Sequence, residues 1–366
     1  MLRLSHVPRQ LYEVVKYFVD SGFIKLNVMN NNVQRITYGP LGEILLENIR
    51  KEWIFGNSSY REDNVFPYHY RSVNEILPDI KEAFIAGKEL NGGVLPFGLA
   101  DCRKICSDFK SSENDIFHPR HSIDLRYIGF FKPDEGKQFF YRWAQQRKRW
   151  WRKFSSDPGK FSLGEIEKDE TSDKEELKIL ATFPWGVHNI ESVKFLGDTP
   201  FLNCGRPSPF NIDCDGELIF PHVIESVCSL DYATIIYLLD AYDRTDDSKV
   251  ICRFHRKFAP YKFAFAAPPV DDRLAFELFE MGQMLCFDVM KAGLNCLLPV
   301  RTLFGKEELE KQLDKNNSIG VPYTAVLTDH TLKTGIFGLF SRETTLQEEI
   351  HIEKFKDYGA LLMKNY

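Results

Sequence analysis

Apolar residues recur through the first two thirds of the chain at spacings that predict helices and strands. After the Gly-Pro turn in "YGPLGEILLENIRKEWIFG", one apolar side chain returns every fourth residue, at Leu41, Leu45, Ile49 and Trp53. This spacing is typical of one face of an amphipathic helix. Residues 9–21 and 137–154 are also predicted as helices, and residues 30–32 as a turn. The segment "LRYIGFF" (125–131) is predicted as a strand.

A second pattern surrounds "PHVIESVCSLDYATIIYLLDAY", in which a strand runs into a helix through a short polar turn. Asp231 is the predicted N-cap, because its carboxylate would lie near the first amides of the helix. Apolar residues then cover nearly all sides of the helix, at Ile235, Ile236, Leu238 and Leu239. We therefore expect a helix buried within the core.

The last third alternates regularly between strand-like and helical segments. The predicted strands are "YKFAFAA", "NCLLPV", "YTAVLT" and "TGIFGLF", and the predicted helices cover 272–292, 306–315 and a segment from about 345. Such alternation implies an α/β domain with a largely parallel or mixed sheet. The polar segment 243–250 is predicted as a linker or a loop before the second domain, so the domains are expected at 1–249 and 250–366.

Length and charge agree with two soluble domains. A chain of 366 residues is too long for one core. The net charge of −5 argues against coating nucleic acid through the overall field, so any such contact requires a local basic patch. Residues 164–178 are rich in acids and lysines and are predicted as a solvated, mobile loop.

Neither the N-terminal residues nor the cysteines identify a cellular compartment. The eight cysteines include no C-x-x-C pair and are interpreted as reduced core thiols. No apolar run approaches the roughly 20 residues that span a bilayer, so no membrane contact is expected. The first twelve residues contain Arg3 and Arg9 and no acid, which fits either a short mitochondrial presequence or a plain basic N-terminus.

Motifs for nucleotide and metal chemistry are absent from the sequence. There is no G-x-x-x-x-G-K-S/T, G-x-G-x-x-G or G-x-S-x-G. In "HPRH" (118–121) the proline argues against a helical ligand pair, and no further cysteine or histidine cluster completes a site. We therefore expect no cofactor and no metal.

The sharpest local signal is "FFYRWAQQRKRWWRKF" (139–154). On a helical wheel the aromatic residues fall on one side, which is expected to pack in the core. The basic side either faces solvent or meets phosphates or an acidic partner. Arg147 lies within the aromatic arc and would either stack on a tryptophan or extend outward. The basic side consists of Arg142, Lys148, Arg149, Arg152 and Lys153.

Several stretches together resemble class II aminoacyl-tRNA synthetases of the glycyl type. "YGPLGEILLENIRKEW" resembles motif 1, "LPFGLA" the approach to motif 2, and "PHVIESVCSLDYATIIYLLDAY" motif 3. "GVPYTAVLTDHTLKTGIFGLFSRETTLQEEIHIEKF" resembles the end of an anticodon-binding domain. The resemblance implies an α+β domain with a synthetase-like antiparallel sheet, followed by an anticodon-binding-like α/β domain with a mixed sheet.

A more specific resemblance is to the accessory subunits of mitochondrial DNA polymerase gamma, a family related to these synthetases. It rests on "QQRKRWWRKFSSDPGKFS", "FPWGVHNIES", "FHRKFAPYKFAFA" and "SRETTLQEEIHIEKFKDY", which occur in this order. The tryptophan-rich basic segment is specific to that family.

The residues also test the synthetase interpretation. The motif 3 arginine that binds ATP is matched here by Tyr232, and the motif 2 Arg-x-Glu by Ser107 and Phe109. A phenol or phenyl ring cannot replace a guanidinium bound to phosphate, so adenylate formation should be lost and no catalytic residue is assigned. The alternatives are a glycyl-type synthetase and a non-catalytic tRNA-binding relative.

The resemblance implies a non-catalytic subunit that binds the catalytic polymerase subunit, mainly through the C-terminal domain. It would raise DNA affinity and processivity on primer-template DNA, in the nucleoid of the mitochondrial matrix. The first candidate DNA-binding cluster is the basic side of the 139–154 helix. The second lies in "RFHRKFAPYK", where the alternative is a solvated strand entry; it comprises Arg253, Arg256, Lys257 and Lys262.

Candidate partner-binding residues are apolar and lie in the C-terminal domain, where the alternative is sheet core. They are Leu303, Phe304, Phe337, Leu339 and Phe340. Vertebrate-type members carry a long helical insertion that builds a homodimer, but the interval between Trp53 and Pro96 is too short for it. We therefore expect one copy per catalytic subunit rather than a homodimer.

Overall fold

The structure, a computed structural model, describes residues 8–29, 32–59, 62–68, 76–106, 121–170, 172–205, 207–214 and 216–364. Ser107, Phe109, Arg3 and residues 118–120 lie outside these ranges. The described part has an α+β domain followed by an α/β domain, which confirms the expected fold class.

The first domain is built on an eight-stranded sheet that is antiparallel except at one edge. Its helices are α1 (Arg9–Asp20), α2 (Pro40–Ile54), α3 (Ile76–Leu90), α4 (Pro133–Phe154) and α5 (Leu230–Ala241). Its strands are β1 (Ile24–Met29), β2 (Asn32–Tyr38), β3 (Val65–Pro67), β4 (Phe97–Cys106), β5 (His121–Phe131), β6 (Phe161–Leu163), β7 (Glu167–Lys168), β8 (Glu175–Phe183), β9 (Gly186–Gly197), β10 (Ile212–Cys214), β11 (Glu217–Ile219), β12 (His222–Ser229), β13 (Tyr242–Arg244) and β14 (Val250–Cys252).

The large sheet has the order β3-β4-β5-β12-β9-β8-β6, with β7 also paired to β8. Helices α2, α4 and α5 pack with one face of this sheet. Helix α3 covers the other face, because Phe84 packs against Phe97, Phe130 and Phe201. Because successive side chains of a strand point to opposite faces, the sheet contributes residues to a core on each of its faces. The interval between Trp53 and Pro96 contains α3, which packs on this sheet.

The second domain contains a four-stranded mixed sheet with the order β15-β16-β17-β18. Only β15 and β16 are parallel, and the chain passes between them through two helices, as a parallel crossover requires. Its elements are β15 (Phe263–Ala266), α6 (Asp272–Lys291), α7 (Leu309–Ser318), β16 (Tyr323–Val326), α8 (Asp329–Thr334), β17 (Ile336–Ser341), β18 (Gln347–His351) and α9 (Ile352–Lys364).

Residues 243–250, predicted as a linker or a loop, form most of a β-hairpin in which β13 pairs with β14. The first core continues beyond it to Phe258 and Ala259, and the second core begins at Phe263. The change of core therefore lies near residue 260, later than the expected boundary at 249/250. Sequence polarity was misleading here because a short exposed hairpin is as polar as a linker.

Three further predictions differ from the structure. Residues 164–178 are not one loop, since β7 pairs with the start of β8 and Glu175 is buried there. "NCLLPV" forms only a single bridge, between Cys296 and Phe263, and Pro299 cannot donate to a ladder. The segment from about 345 first forms strand β18, and the helix begins at Ile352.

One buried guanidinium joins the two domains. Arg342, which follows β17, donates hydrogen bonds to the carbonyl oxygens of Cys252 and Phe254 in the first core and of Gly320 in the second domain, at 2.6–2.8 Å. Asn48 of α2 likewise donates to Phe258 and Ala259. These bonds hold the segment between the domains against both of them.

Among the helices that the structure describes, none combines the length and apolar character needed to cross a membrane.

Candidate nucleic-acid interface

Helix α4 has one buried aromatic face and one exposed basic face, as its spacing predicts. Trp143 stacks on Tyr127 of β5 with ring centroids 4.0 Å apart, and Trp151 stacks on Tyr237 of α5 at 5.2 Å. Pro133 begins the helix, acids occupy its first turn, and Arg152 and Lys153 lie in its last turn, where cations favour the helix dipole. The helix is therefore fixed on the sheet and presents its other face outward.

Arg147 is the exception to this division. It does not extend outward: its side chain is 2% exposed, lies 4.6 Å from the ring centre of Trp150 and pairs with Glu191 of β9 at 2.7 Å. Burial acts to lower the pKa of Arg147, but the charge and hydrogen bonds of Glu191 raise it overall. The stacking alternative was correct.

The first candidate cluster lies on the outer face of α4. Arg142, Arg149, Arg152 and Lys153 are exposed and Lys148 is half-buried. Among the described residues, no carboxylate pairs with Arg142, Lys148, Arg149 or Arg152. Their positive charge is therefore not neutralised within this part of the chain, and such a row can bind phosphate oxygens.

The second candidate cluster is largely engaged within the protein. Arg253 pairs with Asp243 at 2.7 Å and Glu343 at 3.5 Å, while Arg256 contacts the hydroxyl of Tyr323 at 3.4 Å. Lys257 pairs with Glu52 at 3.4 Å. These contacts support the structure at the junction of the domains.

Lys262 differs from its prediction as a surface contact, because its side chain is buried. Its ammonium donates to the carbonyl oxygens of Lys257 and Ala259, both at 2.7 Å. Burial lowers its pKa to about 7, an effect that the nearby Glu52 opposes. Lys262 is therefore not part of an exposed basic surface.

The two clusters meet at the C-terminal end of α4. Burial and the charge of Lys257 lower the pKa of Lys153. Burial, followed by the charges of Arg256 and Lys153, lowers the pKa of His255 to about 3. The sequence did not indicate this convergence, because the two segments are about a hundred residues apart.

A cleft of about 670 Å³ lies beside α4, between that helix and the segment that follows α2. Arg142, Arg149 and Lys153 line one wall, and Glu62 and Asp63 contribute acidic side chains. The acids limit how far an anionic ligand would enter, so the outer face of α4 is the better candidate for phosphate contact.

At the start of α5 the structure supports loss of the synthetase chemistry. Tyr232, which stands where the motif 3 arginine is expected, is buried, and its hydroxyl lies 2.7 Å from Nδ1 of His188. Asp231 is not the N-cap. Ser229 occupies that position and accepts a hydrogen bond from the Tyr232 amide at 3.2 Å, whereas Asp231 accepts from the amide of Ile123 in β5.

The candidate partner-binding residues divide between core and surface. Phe304, Phe337 and Leu339 are buried in the second core, Phe340 is half-buried and Leu303 is 37% exposed. A surface missed in the sequence lies on α6, where the exposed apolar residues are Phe276, Met284, Phe287 and Met290. Their spacing along one side of the helix was the available signal.

Among the described residues no group of three or more histidine, cysteine and acidic side chains is arranged to hold a metal ion. Of the "HPRH" segment, only the backbone of His121 is described, at the start of β5.

Comparison with known proteins places these features in context. Residues 274–359 match the model of the family described as "Anticodon binding domain". The DNA polymerase subunit gamma-2 of Bos taurus is 28% identical over 290 residues, covering 76% of this chain and 59% of that protein. The DNA polymerase subunit gamma-2, mitochondrial, of Drosophila melanogaster is 30% identical over 244 residues, covering 64% of this chain and 65% of that protein.

The chain is similar to DNA polymerase subunit gamma-2. It is also similar to the glycine–tRNA ligase of Borrelia hermsii, at 24% identity over 293 residues, covering 74% of this chain and 62% of that enzyme. The chain therefore spans less than two thirds of the length of each of these relatives. These similarities confirm both resemblances on which the sequence interpretation depended.

Proposed function

We propose that this protein is the non-catalytic accessory subunit of a mitochondrial DNA polymerase. The similarity to DNA polymerase subunit gamma-2 over 76% of the chain carries this proposal. The word mitochondrial in the name of the Drosophila relative supports the location. The subunit binds the catalytic polymerase subunit and raises its DNA affinity and processivity during replication of mitochondrial DNA, in the nucleoid of the matrix.

The basic face of α4 is the proposed DNA-binding surface. Arg142, Lys148, Arg149 and Arg152 support it, because no carboxylate among the described residues neutralises them. A DNA-binding surface tethered to a polymerase raises the local concentration of template and slows dissociation without new chemistry. The C-terminal domain is the proposed contact for the catalytic subunit, with one copy bound per catalytic subunit.

The alternatives are an active glycyl-type synthetase and a tRNA-binding protein without catalysis. The similarity to glycine–tRNA ligase and the match to an anticodon binding domain favour these alternatives. Tyr232 in the place of the expected arginine argues against the first, because a phenol supplies no positive charge for ATP.

Primer extension with the catalytic subunit of the same species tests the proposal. At physiological salt, we expect longer products per binding event when this protein is added. Products of unchanged length, together with tight tRNA binding, would instead favour the tRNA-binding alternative.

A further inference from the structure

A polar cavity of about 230 Å³ lies between the two domains, apart from the basic face of α4. One wall comes from α2, with Asn48, Lys51 and Glu52, and a second from Lys257 and Lys262. Residues 293–295 after α6 and Met363 of α9 form the rest of its lining. We call this the interdomain cavity.

The charges that line the interdomain cavity are mostly positive. Lys51, Lys257 and Lys262 contribute three basic groups, and Glu52 is the one acid among its lining residues. Glu52 is already paired with Lys257 at 3.4 Å. Lys51 lies 3.9 Å from Glu47 of the same helix. With both acids counted, three protonated lysines leave an excess of one positive charge, which an anion would offset.

The number of hydrogen bonds that Lys262 can donate depends on its protonation state. Two of its N–H groups are used by the carbonyl oxygens of Lys257 and Ala259. A neutral amine has only those two N–H groups and a lone pair, whereas an ammonium has three N–H groups. Protonation thus supplies an additional charged donor to a group that lines the cavity.

We propose that the interdomain cavity binds a phosphate group through Lys51, Lys257 and Lys262. Its volume of about 230 Å³ accommodates a tetrahedral oxyanion with a few waters. Charge-assisted N–H···O bonds from lysine are well suited to phosphate oxygens. The phosphate belongs either to a DNA backbone or to a small soluble phosphate.

Binding would be coupled to uptake of a proton. The pKa of Lys262 is lowered to about 7 by burial, with Glu52 opposing the effect and Lys51 and Lys257 adding to it. An anion stabilises the ammonium and raises that pKa again. Affinity should therefore be higher at pH 6.5, where Lys262 is largely charged, than at pH 8.5.

Calorimetric titration with inorganic phosphate tests the site, at constant ionic strength and at both pH values. Sulfate is titrated in parallel, because its charge does not change over this range. We expect Lys262→Met to lower the affinity for both anions about tenfold or more at pH 6.5. The variant should also remove the pH dependence of sulfate binding. Lys333→Met, at an exposed lysine of the second domain, is the matched control and should bind like the wild type.

Two additions keep the result interpretable. Melting temperatures show whether Lys262→Met is folded, and Lys257→Gln, at a less buried lysine, should also weaken sulfate if the cavity is the site. Titration with a short DNA duplex then separates the two sources. If Lys257→Gln lowers DNA affinity and phosphate competes, the phosphate is that of DNA; this arm alone rests on the proposed function.

If Lys257→Gln loses phosphate binding but keeps its DNA affinity, the ligand is a small soluble phosphate. Failure of the α4 surface to bind DNA would leave the phosphate titration unaffected, so the two proposals fail separately. The cavity proposal is overturned if folded Lys262→Met and Lys257→Gln bind sulfate as the wild type does, or if the wild type binds neither anion.

Discussion

A nitrogen of the Arg147 guanidinium lies 2.7 Å from a carboxylate oxygen of Glu191, and both side chains are almost completely buried. Glu191 also accepts hydrogen bonds from Trp151 of α4 and Ser226 of β12. Helix α4 is thus bonded to two neighbouring strands through one carboxylate. This buried network fixes the orientation in which the basic face of α4 is presented.

Arg147→Met should therefore lower the free energy of unfolding by about 3–5 kcal/mol, because it leaves the Glu191 carboxylate buried without its cation. Chemical denaturation measures this change. Arg149→Met, two residues away on the exposed face, should change stability by no more than about 0.5 kcal/mol. The double variant Arg147→Met/Glu191→Leu should be less destabilised than the single one. Equal stability of the wild type and Arg147→Met would contradict the role given to this pair.

Reversing charge on the basic face should weaken DNA binding. In Arg149→Glu/Arg152→Glu/Lys153→Glu we expect a lower affinity for DNA. The slope of the logarithm of the binding constant against the logarithm of the salt concentration should become shallower, by up to about 0.9 for each lost phosphate contact. Fluorescence anisotropy with a duplex over a series of salt concentrations measures both quantities.

The matched control for this charge reversal carries the same change on another exposed surface. Arg273→Glu/Lys311→Glu/Lys333→Glu alters three exposed cations of the second domain and shifts the net charge equally. If the two triple variants lose affinity to the same extent, overall charge rather than the α4 face governs binding.

The stability of the protein should depend on His255 below pH 6.5. Its pKa is lowered from 6.5 to about 3, first by burial and then by Arg256 and Lys153. Between these values the unfolded chain binds a proton that the folded chain does not, so stability falls as pH falls from 6.5 towards 3, by at most about 1.4 kcal/mol per pH unit.

His255→Asn removes this titration, so its free energy of unfolding should decline less steeply from pH 6.5 to pH 4.5 than that of the wild type. His330→Asn, at an exposed histidine, is the control and should follow the wild-type curve. Parallel curves for all three proteins would show that the environment of His255 does not suppress its charge.

ATP–pyrophosphate exchange with glycine should stay at background for this protein. Tyr232 is buried against His188 and supplies no positive charge for the triphosphate. A glycine–tRNA ligase assayed in parallel provides the positive control. Clear exchange above background would restore the synthetase alternative.

Light scattering of the purified protein should give the mass of one chain. The interval between Trp53 and Pro96 supplies α3, which is packed on the large sheet through Phe84. Because α3 already packs on the sheet, this interval is not expected to supply a separate dimerisation bundle. A stable dimer, with a concentration-independent mass of two chains, would refute the expected stoichiometry.

The sequence by itself determined several of the main helices and the buried face of two of them. The fourfold spacing ending at Trp53 and the aromatic side of residues 139–154 correctly predicted α2 and α4, because helix periodicity is a local property. The sequence also showed a tyrosine, Tyr232, where motif 3 is expected to have an arginine, because this requires only one residue type to be identified within a recognisable motif. The α/β class of the second domain followed from the alternation of strands and helices, whereas the α+β class of the first was implied by the resemblance to the synthetases.

Only the tertiary structure decided which charges are available to a ligand. The sequence placed Lys262 and Arg149 together among the candidate DNA contacts, yet Lys262 is buried against two carbonyl groups and Arg149 is exposed. It left two positions open for Arg147, and the structure pairs that residue with Glu191. Glu191, the partner of Arg147, lies on another element, and the carbonyl partners of Lys262 lie in a turn that Asn48 of α2 holds in place. Burial and charge pairing are therefore set by long-range packing, which no local spacing records.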